Sequence, residues 1–263
     1  MNILDKIATH KRHEIAARRE AVPLKKLERS EYFAAPTVSF TAHLRRPDKV
    51  GIIAEIKRQS PSKGVINAHI SVEKLSVGYA QAGASALSVL TDKEFFGGSL
   101  DDLRTARRLN SCPILRKDFI LDEYQIVEAK AFGADVILLI AALLDAAQIR
   151  QLAAFAASLG LEALLEIRSR EELPDDLSNL HAIGVNNRDL RDFSVDVSRA
   201  LEIAAFLPAD ITKIAESGLK DAATILDLKR AGFHGFLIGE AFMRHSQPET
   251  ACAELVQQIC LKG

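Results

Sequence analysis

Residues 129–140 read Ala129-Lys-Ala-Phe-Gly-Ala-Asp-Val-Ile-Leu-Leu-Ile140. A helical stretch runs into Gly133, and glycine suits the left-handed position that ends a helix because it has no Cβ to clash there. The apolar run that follows is too short and too continuous for an amphipathic helix. It reads as a strand buried on both faces.

The same unit recurs along the chain. Tyr79-Ala-Gln-Ala-Gly83 precedes Ala86–Leu90, Phe155-Ala-Ala-Ser-Leu-Gly160 precedes Ala163–Ile167, and Leu228-Lys-Arg-Ala-Gly232 precedes Phe236–Gly239. Less regular apolar runs at Val50–Ile56, Pro113–Leu115, His181–Val185 and Ile211–Ala215 fill the gaps. This predicts eight strands ending near Ile56, Leu90, Arg116, Ile140, Ile167, Val185, Ala215 and Ile238. Helical patterns at Leu121–Phe132, Asp145–Leu159 and Asp221–Ala231 lie between them, with Asp145 and Asp221 as N-caps.

Alternating strand–helix units form either a doubly wound sheet or a closed barrel. No G-x-G-x-x-G follows the first strand, which removes the main support for a dinucleotide-binding sheet. Eight units in 263 residues fit an α/β fold of the (β/α)8 TIM-barrel kind. Residues 1–263 are read as one barrel domain, with 1–48 an N-terminal extension that packs on it. That extension opens with a charged helix, Ile3–Glu20.

Composition narrows the function classes. Hydrophobic residues make up 48% and charged residues 26%, with a formal net charge of −1, so no global field favours nucleic acid or an anionic membrane. The longest apolar run, Val136–Leu144, falls far short of the ~20 residues needed to span a bilayer. The charged opening segment is no signal peptide. Cys112, Cys252 and Cys260 form no C-x-x-C pair, which fits a reducing cytoplasm. His10 and His13 share a helix face with Lys11, Arg12, Arg18 and Arg19, and that face is read as solvated, not metal-binding. No metal, cofactor or obligate protein partner is expected.

In a TIM barrel the active site lies at the carboxyl ends of the strands. Glu55, Lys57, Lys117, Glu166, Asn186 and Glu216 interrupt or directly follow apolar runs at those ends. A charge there must be paired or used, because burying it alone costs several kcal/mol. Structural Lys–Glu pairs plugging the barrel would explain any one of them; six on one rim point to an active site. Ser217-Gly218 and Gly239-Glu240 end strands seven and eight, the common phosphate position of this fold. Small residues there let backbone N–H groups approach an oxyanion, while Ser60, Lys57 and Arg188 could add donors. The Glu240 carboxylate would repel a phosphate, so only its N–H is expected to contribute. Phe95 and Phe96 belong either to the core or to the wall of an aromatic ligand site.

Several stretches resemble the indole-3-glycerol phosphate synthase family. The longest is Ile53-Ala-Glu-Ile-Lys-Arg-Gln-Ser-Pro-Ser-Lys-Gly64. Others are Ala86-Leu-Ser-Val-Leu-Thr-Asp92, Leu115-Arg-Lys-Asp-Phe119, Gly184-Val-Asn-Asn-Arg-Asp-Leu190, Ala215-Glu-Ser-Gly218 and Phe236-Leu-Ile-Gly-Glu-Ala241. The resemblance covers nearly the whole chain, in the family's order. It implies a lyase of tryptophan biosynthesis that closes the indole ring of 1-(2-carboxyphenylamino)-1-deoxyribulose 5-phosphate, losing carbon dioxide and water without a cofactor.

By this resemblance, Lys117 matches the general acid that protonates the carbonyl oxygen, and Lys57 the lysine that holds the carboxylate. Glu166 matches the acid/base of dehydration. Glu55, Asn186 and Glu216 match residues orienting the lysines and the substrate. Ser60, Arg188, Ser217, Gly218, Gly239 and Glu240 fall on phosphate positions, and Phe96 and Phe119 on the aromatic wall. One departure is Arg168, where the family usually has His; it is expected to face outward or lie beyond the strand. Two lysines in one pocket would lower each other's pKa while neighbouring glutamates raise it. A Schiff-base aldolase using Lys117 or Lys57 is the rival enzymatic reading. A phosphosugar isomerase of the same fold would not need the long Glu-Ile-Lys-Arg-Gln-Ser-Pro-Ser motif, and a degenerate barrel acting as a partner subunit would have lost rim charges that are all present.

Overall fold

The computed structural model describes residues 3–189 and 193–263. Leu190 of the Gly184–Leu190 motif lies outside the described residues. Eight parallel strands close into a barrel: β1 (Ile52–Ile56), β2 (Ala86–Leu90), β3 (Ile114–Lys117), β4 (Val136–Ile140), β5 (Glu162–Ile167), β6 (Ala182–Asn186), β7 (Thr212–Glu216) and β8 (Gly235–Ile238). Closure is direct, since Ile53 of β1 pairs with Ala86 of β2 on one side and Leu237 of β8 on the other.

The expected punctuation is present. Gly83, Gly133, Gly160 and Gly232 all end helices with positive φ, between 73° and 98°. A side chain at any of them would strain a left-handed backbone. Asp145 and Asp221 accept the backbone N–H of Gln148 and Thr224, capping helices Ala146–Ser158 and Ala222–Arg230. One crossover lacks an α-helix: between β5 and β6 only the 3-10 turn Arg170–Glu172 forms, just before Pro174.

The two-residue alternation of a strand explains both the core and the site. On β4, Val136, Leu138 and Ile140 point into the barrel while Ile137 and Leu139 face the surrounding helices. The same inward file on β1, β3, β5 and β7 begins apolar and ends charged: Ile53 then Glu55, Leu115 then Lys117, Leu164 then Glu166, Ile214 then Glu216. The barrel is thus a packed hydrocarbon floor with an ionic upper layer.

The N-terminal segment reaches both ends of the barrel. Helix Phe40–Leu44 closes the lower end, where Ser39 donates to Glu162 and Arg45 donates to Thr212, at the starts of β5 and β7. Helix Ile3–Ala21 lies across the upper end, with Ile3, Leu4 and Ile7 on the cavity wall. Its buried file is Leu4, Ile7, Ala8, Lys11 and Ile15. This corrects the reading of Lys11 as part of a solvated face. Its ammonium is fully buried, 2.7 Å from Asp92 and 3.0 Å from Asp118, in the loops after β2 and β3. Those carboxylates outweigh the cost of burial and hold Lys11 protonated well above its ordinary range. Arg18 likewise pairs with buried Glu128, at 2.6 Å.

Candidate active site

A cavity of about 450 Å³ opens at the carboxyl ends of the strands. All fourteen residues given site positions by the family resemblance line it. The deepest are the ionic ones. Lys117 Nζ lies 3.1 Å from Glu166 Oε2 and 3.4 Å from Glu216 Oε2, and Asn186 Nδ2 donates to the other Glu166 oxygen at 3.0 Å. Lys57 donates to Glu55 Oε1 at 2.5 Å. Register explains the grouping, because Glu216 pairs with Asn186 on β6 and with Leu237 on β8, and Glu166 pairs with Gly184.

Three carboxyl groups therefore share a buried layer with two ammonium groups, and the balance shows in their proton affinities. Burial alone would discharge Lys117, yet Glu166, Glu216 and Glu55 outweigh it and hold the ammonium well above its usual range. Burial and the negative charges of Glu166 and Glu55 push Glu216 up to about 8, against the pull of Lys117. Burial acts against Glu166 too, but Lys117 and the Asn186 amide hold it below its ordinary range. Lys117 is thus held charged, Glu166 is biased toward its ionised form and Glu216 toward its neutral one.

Two glycines make this layer possible. A Cβ on Gly184 would collide with Glu216 Oε1, and a Cβ on Gly239 would collide with Glu55 Oε1. Gly239 thus serves the carboxylate layer as well as its turn. Gly184 was quoted in a motif, but its role depends on a carboxylate from the neighbouring strand.

The outer part of the cavity is lined by tight turns and cationic side chains. Ser217 and Gly218 both have positive φ, 66° and 78°, which turns the chain sharply as β7 ends. Arg188 Nη2 lies 3.0 Å from Glu240 Oε2, and its Nη1 donates to the Phe193 carbonyl at 3.3 Å. Ser60 and Lys63 lie in a short antiparallel hairpin, Gln59–Ser60 against Gly64–Val65, that sequence periodicity did not reveal because each strand has two residues. Lys220 and Arg244 also line this end and were missed; each is a single exposed charge with no sequence pattern.

Phe96 and Phe119 form an aromatic pair on the opposite wall, centroids 5.8 Å apart. Phe95 is turned away and meets the His10 ring edge-on at 5.6 Å. Arg168 lies just past β5, pairing with Glu172 and Asp189 at 3.0 and 3.3 Å, outside the cavity lining. Among the described residues no cluster of three His, Cys, Asp or Glu is arranged to hold a metal, and no helix is long and apolar enough to cross a membrane.

A model of the family described as indole-3-glycerol phosphate synthase matches residues 4–255. The chain belongs to the indole-3-glycerol phosphate synthase family. Within it, the chain is 48% identical over 258 residues to the Bacteroides thetaiotaomicron indole-3-glycerol phosphate synthase, covering 98% of this chain and 99% of the relative. It is 43% identical to the synthase of Burkholderia vietnamiensis, covering 97% and 98%. Among solved structures, the tryptophan synthase alpha-subunit of Pyrococcus furiosus superposes with a TM-score of 0.59 at 11% identity, over 81% of this chain and 98% of that one. That likeness shows the shared barrel alone. An indole-3-glycerol phosphate synthase is an enzyme of tryptophan biosynthesis, and the ionic layer lies at the carboxyl ends of the strands, the face where TIM-barrel enzymes carry their active sites.

Proposed function

We propose that this cavity acts as a carboxy-lyase site, converting 1-(2-carboxyphenylamino)-1-deoxyribulose 5-phosphate to indole-3-glycerol phosphate without metal or organic cofactor. The observation that carries this is Lys117, a partly buried ammonium between Glu166 and Glu216 in a cavity with an aromatic wall and a cationic mouth. The substrate matches the cavity group by group. Its phosphate suits the turns Ser217-Gly218 and Gly239-Glu240 with Ser60 and Arg188. Its benzoate ring suits Phe96 and Phe119, and its carboxylate suits Lys57.

The chemistry follows from those placements. The ring carbon bearing the carboxylate attacks the ketone carbon, and Lys117 gives a proton to the ketone oxygen as the carbon–carbon bond forms. The resulting iminium draws electrons from the carboxylate, so carbon dioxide leaves with no metal needed as electron sink. The hydroxyl then departs as water, and a ring-methylene proton is lost to restore aromaticity. Glu166, ionised and fixed by Asn186, is the acid/base for this step, with Lys57 donating and Glu55 orienting Lys57. Preformed charges aimed at the developing alkoxide supply electrostatic stabilisation.

The test is to mix EDTA-treated protein with this substrate and follow indole fluorescence. A rise without added cofactor supports the reading. Binding without a rise moves the assignment to a different phosphosugar reaction, and an adduct trapped by borohydride moves it to a Schiff-base aldolase.

A further inference from the structure

Glu240 stands where a phosphate-binding mouth should not tolerate a carboxylate. It does not point idly into solvent. Its Oε2 is 3.0 Å from Arg188 Nη2 and its Oε1 is 3.9 Å from Lys63 Nζ. Arg188 comes from the end of β6, Lys63 from the hairpin after β1, and Glu240 from the residue pair after β8, so the ion cluster ties together three sides of the mouth. Arg188 is largely enclosed, with 18% of its side chain exposed, while Glu240 keeps 35%. The carboxylate is therefore held by the cations of the site, yet it has an open path outward.

We infer that Glu240 is a built-in counter-anion: its carboxylate occupies Arg188 and Lys63 while the site is empty, and the substrate's phosphate must displace it. This rests on the phosphate position given under the proposed function. A guanidinium prefers a bidentate, doubly charged oxyanion over a single carboxylate oxygen, so the exchange runs forward when phosphate arrives. The displaced carboxylate has a receiver. Arg244, four residues on, is on the neighbouring helical position, is exposed, and has no ion pair among the described residues. Glu240 thus weakens phosphate binding and speeds loss of the phosphorylated product, because it competes again for Arg188 as soon as the phosphate shifts.

The exchange is read directly by titrating inorganic phosphate calorimetrically into wild type, Glu240→Gln, Glu240→Ala and Arg188→Met. The two carboxylate-free variants should bind phosphate about tenfold more tightly than wild type, or about 1.4 kcal/mol. In turnover they should lower KM and also lower kcat, the split expected when product release slows. A purely structural Glu240 would raise KM instead. Phosphate affinity that is unchanged or weaker in both variants overturns the counter-anion. Phosphate affinity indifferent to Arg188→Met, or absent from every form, overturns the phosphate position itself. These failures are distinct, since the first leaves Arg188 dependence intact.

Discussion

Gly184 on β6 faces Glu216 on β7 so closely that a Cβ at residue 184 would collide with Glu216 Oε1 and come within 3.3 Å of Leu164 Cδ1. That oxygen is buried with no hydrogen-bond partner, so the space left by the glycine is what allows the carboxyl to stand beside Lys117. Gly184→Ala should therefore push Glu216 off Lys117. Overpacking of this kind costs about 1–3 kcal/mol, measurable by urea unfolding. kcat should fall at least about tenfold, equivalent to ~1.4 kcal/mol of barrier. Turnover within twofold of wild type would show that the Glu216–Lys117 contact is not needed.

The raised proton affinity of Glu216 has consequences for pH. Its carboxyl ionises near 8 in the folded protein, against an ordinary value of 4.5. Between those values the folded state holds a proton that the unfolded chain has lost, so this group's contribution to stability falls as pH rises through that window. It is full below about 4.5 and gone above about 8. In catalysis, ionisation of Glu216 adds negative charge beside Lys117 and makes it a poorer acid. The rate should fall on the alkaline side with an inflection near pH 8, and Glu216→Gln should lose that inflection. An unchanged profile in the variant would assign the inflection to another group.

Lys117→Met should abolish ring closure while substrate still binds through the mouth and the aromatic wall. The check is kcat by indole fluorescence alongside a direct binding measurement. Turnover within about tenfold of wild type, worth only ~1.4 kcal/mol, would exclude Lys117 as the acid.

Lys11 links the N-terminal helix to the loops after β2 and β3, and Asp118 is the immediate neighbour of Lys117. Lys11→Met strips the cation from two buried carboxylates and should destabilise the protein by about 3–5 kcal/mol in urea unfolding. Asp92→Asn in the same chain should restore part of that loss, because Asp92 is the carboxylate left without a cation, whereas Asp118 keeps Arg116 at 3.0 Å. A single substitution that leaves the unfolding midpoint in place would show that the buried pair has no net weight.

Much of the architecture was written locally. Eight apolar runs, glycines ending helices and Asp caps each involve neighbours within a turn or a strand, so length, period and a few residue types suffice to read them. The rim residues were legible for a related reason: a charge at the end of a buried apolar run is anomalous without any knowledge of its partner. Lys11 also left a trace, at helical spacing with Leu4, Ile7, Ala8 and Ile15, but the surrounding charges masked it.

The tertiary structure alone decided which charges meet and which protonation states survive. Lys117 and Glu166 are 49 positions apart, and Arg188 and Glu240 are 52 apart. Spatial proximity fixes the pairing of Lys11, the raised proton affinity of Glu216 and the occupation of Arg188 by a carboxylate. Electrostatic energy depends on separation and burial in space, and barrel closure brings together groups that the chain keeps apart.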